Sequence, residues 1–184
     1  MSEMDEWVQD ALDLIEWANG DPATSKWAKM RADAGHPAPF NLRFIGIGNE
    51  QWGELYPPHL EPFIKAIREK YPDIQIVGTS GPSASGQRFD YGWEQMRRLK
   101  VDLVDEHYYM APEWFLANAD RYDKYPRKGP KVFAGEYAAH GKERHNDFEA
   151  ALSEAAFMTG LERNADVVSM ATYAPLFAHV DGWQ

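Results

Sequence analysis

Two glutamates close short apolar runs in this 184-residue chain. Glu50 ends Phe44-Ile45-Gly46-Ile47-Gly48-Asn49-Glu50, and Glu136 ends Val132-Phe133-Ala134-Gly135-Glu136. β-Branched and aromatic residues bounded by Gly read as buried strands, which sets each carboxylate where a strand meets its loop. Parallel α/β folds carry catalytic groups at that C-terminal strand edge. Two carboxylates presented there suit glycosidic bond cleavage, which takes one acid/base and one nucleophile or base. Either glutamate alone reads more plainly as a helix cap or the partner of an Arg. The matching frame of the two favours chemistry.

The elements that must position them alternate along the chain. Val8, Ala11, Leu12 and Ile15 mark a helix over 5–18, closed by Asn19-Gly20-Asp21-Pro22. A polar, Pro-containing connection leads to a strand at 42–47. Leu60, Phe63, Ile64 and Ile67 give a helix over 58–70 that opens on Pro57-Pro58. A strand at 74–78, a Gly/Ser loop over 79–86 and a helix at 88–99 follow. Next come a strand over 101–108, a short helix at 112–121, the strand 131–136, a helix at 146–162 and a last strand over 167–173. Five strands with helices between them make a series of βα units and a parallel sheet. Glu50 and Glu136 lie 86 positions apart across three units. That is about 29 residues per unit, near the size found in an eight-unit barrel. A complete five-stranded doubly wound sheet is the rival architecture. No internal domain boundary or low-complexity segment stands out.

Composition narrows the class. A chain that is 44% hydrophobic and 26% charged is globular. No apolar stretch is long enough for a membrane span, and the acidic start, Met1 to Glu6, is unlike a signal peptide. The absence of cysteine excludes disulfides and thiolate metal sites. A net charge of −10 without any Lys/Arg-rich run argues against nucleic acid and anionic membranes as partners. A neutral polysaccharide remains compatible, and seven Trp offer faces on which sugars stack, although Trp also fills cores.

A series of motifs then carries a resemblance. Leu12-Asp13-Leu14-Ile15-Glu16-Trp17-Ala18-Asn19-Gly20, Gly35-His36-Pro37, Pro39-Phe40-Asn41-Leu42 and Ile47-Gly48-Asn49-Glu50-Gln51-Trp52-Gly53 resemble glycoside hydrolase family 51, the α-L-arabinofuranosidases. Asp105-Glu106-His107-Tyr108-Tyr109, Glu113-Trp114-Phe115 and Gly135-Glu136-Tyr137-Ala138 continue the match, which runs in order through essentially the whole chain. The resemblance implies a retaining (β/α)8 glycosidase whose acid/base follows Asn at the end of strand 4 and whose nucleophile ends strand 7. It implies that residues 1–184 are a single partial barrel segment, from the helix before strand 4 into strand 8. Strands 1 to 3 and the family's β-sandwich domain are then absent, and exposed edges should favour self-association into a homo-oligomer.

By the same resemblance, Glu136 is the nucleophile and Glu50 the acid/base, Asn49 binds the sugar 2-hydroxyl, and the Tyr109 hydroxyl contacts the nucleophile. His107 supports the site from behind or is a satisfied core histidine. Trp52 forms a subsite wall or simply packs, with Trp114 and Trp183 as weaker candidates for that wall. Two departures from better-known members put polymer preference in doubt: His140 stands where some carry Trp, and Thr172-Tyr173-Ala174-Pro175 supplies no sugar-binding Gln. His140 and His145 with Glu143 lack the spacing of a metal pair, and residues 78–86 lack a phosphate loop's Gly-Lys-Ser/Thr ending. The dispersed Lys and Arg read as solvated faces.

The expected function is a catalytic segment of a retaining exo-α-L-arabinofuranosidase acting on arabinan or arabinoxylan, with no metal or organic cofactor. The alternatives are a non-catalytic carbohydrate-binding or inactive barrel fragment, and another retaining glycanase of the same clan. Cytoplasmic and secreted locations both stay open.

Overall fold

A computed structural model describes residues 3–144 and 146–177. Five strands, all running parallel where their ladders are defined, follow chain order in one sheet and alternate with helices. This is the α/β repeat of a (β/α)8 barrel, with five of its strands. Among the described residues no helix is long and apolar enough to cross a membrane. Cα packing divides the chain into two units. One comprises residues up to 47 together with 54–77; the other comprises 48–53 and the residues from 78 onward.

In the first unit, helix α1 (Glu3–Asn19) opens on Glu3, Asp5 and Glu6, which suit the positive helix N-terminus, and buries Ile15 and Ala18. Helix α2 (Lys26–Asp33) corrects the expectation of an irregular connection. Ser25 caps it, accepting from the Ala28 amide. It has little apolar periodicity because its buried anchor is an arginine. Arg31 is wholly buried and donates to the carbonyls of Trp17, Ala18, Gly20, His36 and Pro37 at 2.8–3.1 Å. That guanidinium ties three stretches of chain together, so Arg31 is no solvated surface charge.

Asn19 continues the clamp by exchanging two hydrogen bonds with the Leu42 backbone. Strand β1 (Phe44–Gly46) is shorter than expected and pairs with β2 (Gln75–Thr79) in the register Phe44↔Gln75 to Gly46↔Val77. Helix α3 (Tyr56–Lys70) takes Pro57 and Pro58 in its first turn, where their missing amides cost nothing. It buries Leu60, Ile64 and Ile67 on one face.

In the second unit, helix α4 (Gln87–Leu99) buries Phe89, Trp93, Met96 and Leu99. Strand β3 (Leu103–Met110) begins and ends two residues later than the sequence suggests. Helix α5 (Pro112–Ala117) stops early, and a separate 3-10 turn covers Arg121–Lys124. Strand β4 (Lys131–Ala139) runs three residues beyond Glu136. Helix α6 (Phe148–Arg163) is capped by Asp147, and β5 covers Val168–Tyr173.

Side chains alternate across β3. Asp105, His107 and Tyr109 share one face; Glu106 and Tyr108 share the other. The second face meets an aromatic core in which Phe115 and Phe157 lie 5.2 Å apart edge to face and Tyr137 packs against both. Glu106 is fully buried there. Its carboxylate accepts from Trp93 Nε1 at 2.6 Å, from the hydroxyls of Tyr122 and Tyr125 at 2.9 Å each, and from the Tyr108 hydroxyl. Arg121 Nε lies 3.4 Å away and balances the charge. Burial first, and then the Glu106 charge, push the Tyr108, Tyr122 and Tyr125 hydroxyls well above the ordinary phenol range, so they stay donors.

Candidate active site

Glu50 sits in the loop 48–53 after β1, with φ at +55°. A non-glycine residue in that left-handed region carries strain on the order of 1 kcal/mol or more, and such residues cluster at functional sites. The Tyr56 hydroxyl donates to the Ile47 carbonyl at 2.6 Å and pins the chain just ahead of this loop.

Glu136 reaches the same place through a fault in the sheet. Between β3 and β4 the register runs Asp105↔Phe133 and Glu106↔Ala134, then jumps to His107↔Glu136. Gly135 is the residue skipped, a β-bulge. Without it Glu136 would pair with Tyr108 and face the aromatic core. With it Glu136 pairs with His107 on the face that also carries Asp105 and Tyr109. Any larger residue there would have to displace Asp105, since a Cβ on Gly135 would lie 2.1 Å from Asp105 Oδ1.

The result is a tight polar cluster. One oxygen from each of Glu50 and Glu136 and a ring nitrogen of His107 all lie within 4.8 Å of one another. His107 Nδ1 is 2.9 Å from Glu50 Oε1 and 3.7 Å from Glu136 Oε2; Nε2 is 3.1 Å from Asp105 Oδ2. The His107 side chain is only 1% exposed, whereas those of Glu50 and Glu136 are 37% and 32% exposed. Burial pulls the His107 pKa down. Hydrogen bonds to Asp105 and Glu50 and the charges of Asp105 and Glu136 outweigh it and hold the pKa at about 9. At neutral pH the ring is therefore an imidazolium that donates from both nitrogens. His107 is thus buried and hydrogen-bonded, as a core histidine would be, and its partners are the Asp105 and Glu50 carboxylates.

The Tyr109 hydroxyl donates to Glu136 Oε2 at 2.6 Å. Burial, followed by that hydrogen bond and the Glu136 charge, raises its pKa and keeps the proton in place. The His140 ring stacks on Tyr109 at 5.4 Å and 17°. Burial, with Arg144 nearby, lowers the His140 pKa, so the stacked imidazole is neutral.

Asn49 is exposed and has no hydrogen-bond partner among the described residues, leaving its amide available to a ligand. Trp52 is 51% exposed; its Cβ packs against Gly81, and the Arg88 guanidinium lies 3.9 Å over its ring. Trp114 goes elsewhere, stacking on Tyr108 at 5.6 Å on the aromatic-core face. Trp183 and His145 lie outside the described residues. Asp105 and Gly135 carried no site role in the sequence, and His140 stood out there only as a departure from the family's Trp and a rejected metal ligand. The alternation Asp105-x-His107-x-Tyr109 was the available signal for the first.

Comparison with known proteins gives this cluster a family. The model of the α-L-arabinofuranosidase 1 domain matches residues 1–127, and that of the α-L-arabinofuranosidase C-terminal domain matches residues 114–182. The chain belongs to the α-L-arabinofuranosidases. An extracellular exo-α-L-arabinofuranosidase of Streptomyces chartreusis is 55% identical over 95% of the chain, and α-L-arabinofuranosidase 2 of Arabidopsis thaliana is 39% identical over 95%. The chain spans 21% and 25% of their respective lengths.

Among solved α-L-arabinofuranosidases, an arabinose-bound family 51 enzyme superposes with a TM-score of 0.79 at 36% identity, covering 97% of this chain and 30% of that one. The family 51 enzyme AbfB of Bifidobacterium longum shares the fold, with a TM-score of 0.75 at 19% identity over 92% of this chain and 45% of its own. The 36%-identical neighbour, together with the two domain matches, places the α-L-arabinofuranosidase segment in family 51.

Proposed function

We propose that this chain supplies the catalytic carboxylates of a retaining exo-α-L-arabinofuranosidase, which releases terminal arabinofuranosyl residues from arabinan or arabinoxylan. The observation that carries the reading is the closeness of Glu50 and Glu136, whose nearest ligand oxygens fall within 4.8 Å. Retention needs carboxyl groups ~5–5.5 Å apart, whereas inversion needs ~6.5–9.5 Å to admit a water between them.

Glu136 attacks the anomeric carbon as Glu50, carrying its proton on the oxygen that His107 does not engage, protonates the departing glycosidic oxygen, leaving arabinose esterified to Glu136. The now ionised Glu50 takes a proton from water, which attacks the same carbon and frees both arabinose and Glu136. Tyr109 holds the Glu136 carboxylate through one oxygen and leaves the other for attack. His107 holds Glu50 through Nδ1 and is itself held by Asp105. Asn49 binds the sugar 2-hydroxyl, a contact that strengthens as positive charge develops on the ring. Trp52, backed by Arg88, forms the wall that the leaving group meets.

The test is hydrolysis of an aryl α-L-arabinofuranoside, with the product anomer read by NMR and the trapped glycosyl-enzyme mapped by mass spectrometry. The reading expects the label on Glu136 and retained configuration. A label on another residue, an inverted product, or unchanged turnover in Glu136→Gln would each overturn it.

A further inference from the structure

We infer that Glu50, His107 and Glu136 also form a binding site for a single zinc-class divalent ion, which would occupy the space the sugar needs. Three donors converge: Glu50 Oε1 and His107 Nδ1 are 2.9 Å apart, His107 Nδ1 and Glu136 Oε2 are 3.7 Å apart, and the set closes within 4.8 Å. Zinc bonds of about 2.0–2.2 Å at a tetrahedral centre separate neighbouring ligands by about 3.4 Å, so the two histidine spacings bracket the requirement. The Glu50–Glu136 separation can close by a side-chain adjustment, because both carboxylates are partly exposed.

The supporting shell is an independent observation. Histidines that bind metals pass their other ring nitrogen to a carboxylate, which fixes the ring and raises its basicity. His107 Nε2 meets Asp105 Oδ2 at 3.1 Å in that manner. The Asp105 carboxylate is itself lodged over Gly135, with Oδ1 buried and unpaired. Glu136 is oriented in the same way by the Tyr109 hydroxyl. One imidazole with two carboxylates is a borderline donor set suited to zinc over magnesium. The partial exposure of Glu50 and Glu136 gives the ion an entry path and leaves a fourth position for water.

That the ion competes with substrate rests on the function proposed above; that it binds does not. Calorimetric titration of zinc chloride into the metal-stripped chain near neutral pH should show one ion per chain, with magnesium chloride giving no heat. Asp105→Asn, which touches no ion, should weaken zinc binding by about 10–100-fold. Glu50→Gln and Glu136→Gln, at partly exposed positions that keep the fold, should weaken it at least as much. No zinc uptake, or uptake unchanged in all three variants, would overturn the site. Bound zinc should also raise the apparent Kd for arabino-oligosaccharide. If zinc binds as described without that rise, the ion site stands, and its competition with sugar falls together with the assignment of the cluster to sugar. If the parent binds no zinc while Glu136→Gln loses turnover, the ion site falls and the glycosidase reading survives.

Discussion

Raising the pH from 6.5 towards 9, with EDTA present to keep metals away, should strip the fold of stability through a single residue. His107 is nearly inaccessible and hydrogen-bonded by Asp105 and Glu50, with Glu136 close by, so its pKa rises from 6.5 to about 9 on folding. Because the folded-state value is the higher one, the folded chain holds this proton more tightly than the unfolded chain does. The stabilisation is therefore complete below pH 6.5 and is lost as the pH climbs through about 9. Converting that rise in proton affinity gives roughly 3 kcal/mol, a sizeable part of the 5–15 kcal/mol typical of a domain.

The assay is urea denaturation at intervals across this range, paired with NMR titration of the His107 ring protons. Stopping near pH 9 keeps the tyrosines, ordinarily titrating near 10, out of the measurement. Asp105→Asn should bring the His107 midpoint down and flatten the stability profile. A His107 midpoint near 6.5, or stability independent of pH over the window, would refute the argument that the carboxylates outweigh burial.

Other substitutions probe the remaining parts. Gly135→Ala should displace the Asp105 carboxylate, since the new Cβ falls 2.1 Å from Oδ1, and should destabilise the chain by about 1–3 kcal/mol in thermal unfolding. A variant as stable as the parent, with His107 titrating unchanged, would show that the bulge tolerates a side chain. Tyr109→Phe keeps the stack on His140 but removes the donor to Glu136; turnover should fall by about ten- to a hundredfold with folding intact, as steady-state kinetics and circular dichroism would report. Glu106→Gln removes the charge opposite Arg121 and upsets the hydroxyls gathered on it, so denaturant unfolding should show a loss of about 3 kcal/mol or more. A cost near zero would mean that the network rearranges around a neutral amide.

Much of the scaffold was legible because its signals are local. Apolar spacing at Leu60, Ile64 and Ile67, Pro at the start of α3 and the β-branched run of β2 each place an element without reference to the rest of the chain. Helix α2 escaped because its packing is carried by Arg31, whose five carbonyl partners lie 5 to 14 positions away. Burial of a cation is legible only once its partners are known. The strand ends shifted for a similar reason: β4 continues to Ala139 because β3, reaching Met110, supplies it with partners.

The sequence by itself determined that strands and helices alternate, that Glu50 follows one strand in a glycine-bounded turn and Glu136 belongs to another, and that the motifs around them resemble one family. It could not determine which way Glu136 faces. Period-two alternation from Val132 and Ala134 puts Glu136 on the buried side, against the aromatic core. Only the pairing of β4 with β3 reverses that, because Asp105 lies over Gly135 and the register slips by one residue there. That pairing brings Glu136 to His107 from 29 positions away, while Asp105 precedes it on the same strand and Glu50, 57 positions away, arrives on the loop 48–53. A charge state of that kind belongs to the assembled cluster, since the fields that set it come from residues that meet only when the sheet forms.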